Sequence, residues 1–526
     1  MPPVFQKIRI RPAYLIMEKR LILAVTLSIL VLLAWSALAP KQPIETQAVQ
    51  ENSRISKPIE QQALPAAGQD PATLLESKLL SDVALVDLST EKVKISFIEP
   101  AAAIKELIFQ EYQQEKLDLG YGLLLPGESV AFQANQKTSS GLVFVQKDKS
   151  KKIIKEFIIS KDNYYMELSI IIENLSNLKL DFDLPIILGV IDLSKNTADS
   201  RFINVVASKK EKIITLNPKK DFSADDLKFI AIRDKYFAVV LQPERNFVGY
   251  VKKVGTQKSE VGVLLKNVTI EPGQNQELNF RIYLGPQDLK QIVKIDKSWA
   301  GIINYGTFDI ISQLMLQLLE FFHKIVHNWG VAIIILSIAI FLLLFPFTLK
   351  QMRSMKEMQA LQPRIEALRK VYKDNPQKLN KEMMALYKEH KVNPFGGCLP
   401  LLLQMPVFFA LYQVMMRSIA LKGESFLWIK DLAEPDRLFI LPFSLPVFGN
   451  EVNILPLLMT GLMFLQQKFS FVPSSGSSAD QQKIMMIVMP LMFGLIFYHM
   501  PSGLVLYWFF NSLLMSLYQF KMSRGK

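Results

Sequence analysis

The chain has 526 residues, half of them hydrophobic, a mean hydropathy of +0.20 and a formal net charge of +13. This length holds two or more domains, and the hydropathy places at least one of them in a membrane. The single cysteine, Cys398, excludes an internal disulfide framework and any cysteine-based metal cluster; the basic excess fits an anionic membrane surface, a nucleic acid or a ribosome, so its placement along the chain decides.

Residues 1–20 form a basic cytoplasmic N-terminus, with Lys7, Arg9, Arg11, Lys19 and Arg20 ahead of an apolar segment at 21–39. Ala37-Leu38-Ala39 resembles a cleavage site, but the apolar stretch exceeds the roughly 7–15 residues of a signal peptide and Pro40 follows the would-be cut. The segment therefore reads as an uncleaved anchor that sends the following chain outside. Met17-Glu18-Lys19-Arg20 would itself make a normal opening, so residues 1–16 read as a start-site extension. Residues 40–73 turn to Gln, Glu, Ala, Ser and Pro, too poor in large apolar side chains to offset their ordering entropy, and form a linker.

Residues 74–300 read as an all-β sandwich outside the cytoplasm. Lys92 to Ile98, Gly141 to Gln146, Lys152 to Ile159, Tyr164 to Ile172, Phe237 to Leu241 and Val261 to Val268 are short runs rich in Ile, Val, Phe and Tyr, separated by turn signals such as Pro272-Gly273. Gly120-Tyr121-Gly122 lacks the third glycine of a dinucleotide loop, and the one Gly-Lys pair, Gly525-Lys526, ends the sequence, so neither nucleotide motif is present. Asp234-Lys235-Tyr236-Phe237 and Arg281-Ile282-Tyr283-Leu284-Gly285-Pro286 read as strand and turn residues.

Residues 305–328 carry apolar side chains at helical spacing (Phe308, Ile311, Leu314, Met315, Leu318, Leu319, Phe322, Ile325), which suits a helix lying in the membrane interface. His323 and His327 stand four apart, but Lys324 occupies the place of the glutamate in His-Glu-x-x-His, so no metal site is expected. The remainder, 329–526, reads as a membrane core with crossings at 331–349, 399–416, 452–467, 484–499 and 503–520. Between the first two lies a basic helical hairpin at 350–392, cytoplasmic by the positive-inside rule. Met352, Met355, Met358, Leu361, Ile365, Leu368 and Tyr372 form one stripe, and Asp374-Asn375-Pro376 turns the chain into a second helix bearing Leu379, Met383, Leu386 and Tyr387. The stripe either packs the hairpin on itself or meets apolar parts of incoming chains, and Lys370, Lys373 and Lys381 suit ribosomal RNA or lipid phosphates.

Asn393 to Met416 is uncharged and interrupted by Pro400 and Pro406, which free backbone groups that neighbouring helices or a wet cavity must satisfy. Arg417 to Glu451 is an external loop in which Leu438 to Phe448, short and carrying Pro442 and Pro446, dips into the interface without crossing. Ser470 to Lys483 is a cytoplasmic loop. Ile484 to Phe520 contains no Asp, Glu, Lys or Arg and spans about twice one crossing, with Pro501-Ser502-Gly503 as the turn of a hairpin; Lys521, Arg524 and Lys526 then place the C-terminus inside.

The run Asn393-Pro-Phe-Gly-Gly-Cys-Leu-Pro-Leu-Leu-Leu-Gln-Met-Pro-Val-Phe-Phe-Ala-Leu-Tyr412 resembles the signature helix of the YidC-type membrane protein insertases, the bacterial branch of the Oxa/Alb superfamily. Pro501-Ser502-Gly503-Leu504-Val505-Leu506-Tyr507-Trp508 resembles that family's last hairpin. The resemblance implies a bacterial inner-membrane protein with six transmembrane helices, five of them the core, and a periplasmic sandwich. It also implies a membrane insertase and chaperone for nascent membrane proteins, acting alone or beside the Sec translocon, with the ribosome and anionic lipids as further partners and no cofactor, DNA or small-molecule substrate.

The five core crossings hold no ionisable side chain of the kind that couples ions or carries out proteolysis. They hold neutral polar and amphipathic groups: Ser337, Gln404, Gln413, Gln466, Tyr507, Trp508 and Asn511. Facing one concavity, these would form a wet groove open to the cytoplasm. The resemblance places Ser337, Met405, Phe408, Tyr507 and Trp508 at family positions that line the groove or touch substrate. Where family members commonly carry an arginine, five residues before Pro346, this sequence has Phe341, so the groove is expected to be less positive, with Arg417 snorkelling outward. Two other classes remain: a transporter or channel built on the same crossings, and a sugar- or lipid-binding sandwich that the membrane part merely anchors.

Overall fold

The computed structural model describes residues 84–524 apart from 129, 195–201, 211, 307, 374, 391, 393–398, 446–447 and 471–476. The N-terminal segment, anchor and linker, Cys398 with the start of the signature run, and most of the loop after Ser470 lie outside the described residues. Within helices and strands the side chains of residues 351, 355, 359, 376, 399–403, 445, 469–470, 477–485 and 522–524 also lie outside them.

Alternation builds the first domain. In Lys151–Ile159 and Tyr165–Asn174 every second residue is buried, and the two strands pair antiparallel with Ile153 opposite Ile172 and Phe157 opposite Leu168. All six runs singled out in the sequence are strands here, with ends displaced by at most a few residues. They belong to sheets of four, nine and four strands. The large sheet runs from Lys212–Leu216 at one edge to Gln133–Lys137 at the other, and its centre pairs Phe237–Pro243 with Asn275–Pro286. One apolar core joins all three sheets: Phe97 lies 4.8 Å from Phe157 and 5.7 Å from Phe144, and Phe109 stacks on Phe237 at 3.8 Å.

A buried cation interrupts this core. Lys155 is fully buried and its Nζ donates to the carbonyls of Ala102 at 2.5 Å and Leu123 at 2.6 Å, between the rings of Phe157 and Phe132. Burial pushes its ammonium down to about 7.

Nine helices follow or close this domain among the described residues: α1 (Leu289–Ile295), α2 (Asp309–Val326), α3 (Trp329–Ala360), α4 (Gln362–Val371), α5 (Pro376–Glu389), α6 (Leu399–Arg417), α7 (Ile454–Ser470), α8 (Ser477–Phe497) and α9 (Ser502–Arg524). A β-rich domain followed by a helical region is the architecture the sequence implies. By length and apolarity one described helix, Trp329–Met358, is long enough to cross a bilayer; Met486–Phe497 is a shorter apolar stretch. α2 turns Ser312, Met315 and Leu319 inward and exposes Ile310, Leu314, Phe321 and Ile325, with the Ser312 hydroxyl donating to Ala410 O of α6 at 3.2 Å.

Two elements add to the sequence reading. The helix that holds the expected crossing at 331–349 passes through Pro346 and runs on to Ala360, because one missing N–H costs a single bond while the following Leu, Lys, Gln, Met and Glu all favour helix. The stretch expected to dip into the interface folds as a β-hairpin, Phe439–Leu445 paired with Gly449–Val452. Pro442 sits where a two-stranded ribbon tolerates it, since an edge strand leaves N–H groups free of the ladder.

Candidate substrate groove

The signature helix α6 begins next to Pro400, which costs little in a first turn whose N–H groups lack helical partners anyway. Pro406 lies in the interior and deprives the Leu402 carbonyl of its donor. Between the two prolines, Gln404 donates its side-chain amide to the hydroxyl of Tyr507 on α9, and Asn511, one turn further along α9, has its side chain next to that hydroxyl. Tyr507 is fully buried, whereas Gln404 and Asn511 are half-buried.

An aromatic cluster adjoins this polar group. Phe408, one turn beyond Gln404, meets Trp508 edge-on at 5.5 Å, and Trp508 also lies 5.8 Å from Phe493 and 5.4 Å from Phe497 of α8. Met405 remains 37% exposed, which leaves its flexible thioether open to a guest side chain. The structure thus brings Gln404 and Tyr507 into direct contact, with Asn511 beside them, and Phe408 and Trp508 likewise.

Other singled-out residues stand apart. Ser337 is buried and its hydroxyl donates to Ile333 O of its own helix at 2.7 Å, so that polarity is consumed within α3. Phe341 is half-buried against Phe345 at 5.6 Å, whose ring meets Tyr518 at 5.0 Å. Gln466 on α7 is half-buried. The Gln413 Oε1 is buried without a hydrogen-bond partner, as is that of Gln519 on α9, which sequence reasoning missed. Arg417 points away from the polar cluster: its Nη1 donates to Asn304 O at 2.9 Å and its guanidinium lies 5.3 Å over the Phe202 ring of the β domain.

In the basic hairpin, Leu361, Ile365, Leu386 and Val392 form a buried cluster joined by Met358, Leu368, Met383 and Tyr387, so much of the stripe packs on itself. Lys370, Lys373 and Lys381 are exposed and Met352 is half-buried. His323 stacks on Trp329 at 4.0 Å, and His327 takes the left-handed conformation that ends α2.

The loop after α6 holds residues that no local pattern announced. Asp436, buried, accepts at Oδ2 from the N–H groups of Ile454 and Leu455, both at 2.9 Å, and so caps α7. The carbonyls of Glu434 and Leu432 accept from Ser502 N at 2.8 Å and Gly503 N at 2.9 Å, capping α9. The β domain grips the same loop: Lys235 pairs with Glu434 at 3.5 Å, Lys422 with Glu115 at 2.8 Å, and both ammonium groups lie 4.8 Å from the Tyr236 ring. Asp234-Lys235-Tyr236-Phe237 is therefore more than a turn; it joins the two halves of the chain.

A β domain borne on an apolar helical body, whose interior offers neutral hydrogen-bonding groups and aromatic rings, is the build of a membrane protein with a large domain outside the bilayer. Residues 321–526 match the family described as the 60Kd inner membrane protein, and residues 125–318 match the YidC periplasmic domain. The membrane protein insertase YidC of Pelobacter propionicus is 32% identical over 537 aligned residues, covering 95% of this chain and 97% of that protein. That of Syntrophobacter fumaroxidans is 35% identical over 385 residues, covering 71% and 68%. The crystal structure of YidC from Thermotoga maritima covers 82% of this chain and 99% of that chain at 14% identity, with a TM-score of 0.32. The chain belongs to the YidC family of bacterial inner-membrane protein insertases.

Proposed function

We propose that this chain inserts nascent membrane proteins through a recess centred on Gln404, Tyr507 and Asn511, with Met405, Phe408 and Trp508 as its apolar wall and Gln466 and Phe341 at its margins. The observation that carries the reading is the Gln404–Tyr507 hydrogen bond with Asn511 beside it, the two amides half-buried, inside helix segments 399–416 and 503–520 that carry no Asp, Glu, Lys or Arg. Half-buried amides hold water where bare hydrocarbon would not. A guest segment's polar flank otherwise leaves its amides unpaired, at a cost of several kcal/mol each, so a wet recess shortens the dry path. The apolar part of the guest leaves sideways, driven by its own burial at about 25 cal/mol per Å². No covalent step and no nucleotide is required.

In this reading six helices cross the bilayer, one anchor and a five-helix core, with the β domain in the periplasm and the C-terminus in the cytoplasm. α7, at 17 residues, spans roughly 25 Å, less than the roughly 30 Å hydrocarbon core, which favours a locally thinned bilayer. The exposed Lys370, Lys373 and Lys381, with Met352 and Met355, recruit ribosomes or anionic lipid at the inner surface, Met358 being partly occupied within the hairpin. The protein works alone on small substrates and beside the Sec translocon on larger ones. A transporter finds no support, because the crossings lack a carboxylate to couple an ion.

A photoreactive amino acid at Met405, Phe408 or Trp508, in membranes programmed with ribosome-bound nascent chains, tests the recess. Adducts from these positions and none from Leu491, exposed on α8, are expected. Adducts from Leu491 alone would refute the assignment.

A further inference from the structure

The first strand of the hairpin formed by Phe439–Leu445 and Gly449–Val452 exposes apolar side chains on both of its sides. In a strand, neighbouring residues point to opposite sides, so a ribbon in water shows polar side chains on at least one of them. Here Phe439 and Ile440, adjacent and therefore on opposite sides, are 62% and 69% exposed, and Phe443 is 58% exposed. Leu438 to Asn450 contains no Asp, Glu, Lys or Arg. Charge begins abruptly at the base, where the Arg437 Nε pairs with the Glu451 carboxylate at 2.7 Å.

The ribbon is also fixed in place. Phe448 packs edge-on against Tyr498 at 4.8 Å, the Tyr498 hydroxyl donates to Glu451 O at 2.8 Å, and the Asn453 amide donates to Tyr498 O at 2.8 Å. Tyr498 immediately follows α8 and Asn453 immediately precedes α7, so the hairpin is stapled to the ends of two core helices that meet the outer surface in the reading above.

We propose that this hairpin is seated in the outer leaflet of the bilayer beside α7 and α8, its apolar residues among acyl chains and its Arg437–Glu451 base at the headgroups. Three features select lipid over a protein partner. Apolar side chains cover both sides, whereas a docked protein covers one; no charge or hydrogen-bonding side chain beyond Ser444 and Asn450 supplies register; and the attached helices are themselves apolar and short. Seated there, the ribbon extends the apolar reach of α7 on the lipid side. The inference rests on the membrane orientation given above.

The test uses the full chain with Cys398→Ala, carrying a nitroxide on Phe443→Cys or, as a second variant, on Ile440→Cys, in liposomes of phosphatidylethanolamine and phosphatidylglycerol. Collision with oxygen and with a water-soluble nickel chelate is read by power-saturation spectroscopy, and a label on Leu491→Cys reports α8. The expected result is oxygen access with chelate exclusion at 443 and 440. Chelate access there, with 491 still oxygen-accessible, would overturn the hairpin proposal alone, and so would shielding from both reagents, the signature of a protein contact. Chelate access at all three positions would overturn the membrane orientation, and the hairpin proposal with it.

Discussion

Gln404 and Tyr507, 103 residues apart, are joined by a hydrogen bond from the glutamine amide to the phenolic oxygen, inside a largely apolar helical body. Such bonds between membrane helices contribute on average about 0.6 kcal/mol and at most about 2, too little to make this pair a stability device. Tyr507→Phe is therefore expected to lower thermal stability slightly and insertion markedly, as read in liposomes with a small substrate whose outer tail is polar. Equal losses in both would mean that the pair merely holds α6 to α9.

Phe341 offers the converse test. If the recess is wet, Phe341→Arg reaches water, folds normally and raises insertion of substrates with acidic tails. If its surroundings are dry, a central arginine costs about 2.5–3.5 kcal/mol and the variant unfolds earlier in a detergent melt.

Asp436 supports α7 from outside the helix. Asp436→Ala removes the acceptor of two buried N–H groups and is expected to cost about 1–2 kcal/mol, with faster amide exchange at Leu455 and its neighbours. Asp436→Asn, which keeps an acceptor oxygen, is expected to recover most of the protection.

These residues mark what the sequence reveals and what it hides. Strands such as Lys151–Ile159 declare themselves because burial on one face imposes period-two alternation. The basic hairpin does so through its stripe and the Asn375 cap, whose side chain accepts from Lys378 N. The Asp436 cap acts across 18 residues, so no local pattern carries it. The ribbon at 439–452 hides because continuous apolarity suits a buried strand and an interfacial dip alike. Of the candidate site, the pairing of Gln404 with Tyr507 lies on two motifs the sequence displays, whereas the inward turn of Ser337 depends on a rotamer that composition does not record.

The buried Lys155 sets a pH dependence. Its folded-state value of about 7 lies below the usual lysine range, so between pH 7 and about 10 the unfolded chain binds one more proton and stability rises with pH, by up to about 1.4 kcal/mol per unit. The gain is lost as pH falls to 7. Lys155→Met is expected to flatten this slope in denaturant titrations of the β domain within the full chain, while leaving the Ala102 and Leu123 carbonyls unpaired.

The seam between the halves rests on partly exposed charges. Lys422→Glu is expected to weaken it by under about 1 kcal/mol plus repulsion from Glu115, shown by faster proteolysis between α1 and α2, and Glu115→Lys is expected to restore resistance.

The loop from Asp431 to Asp436 caps both α7 and α9, so the N-terminal ends of those helices are clasped together like the pivot of a pair of tweezers. Two helix starts nearly fifty residues apart in sequence are thus held at a fixed spacing by a six-residue loop, and a change at either one is passed to the other.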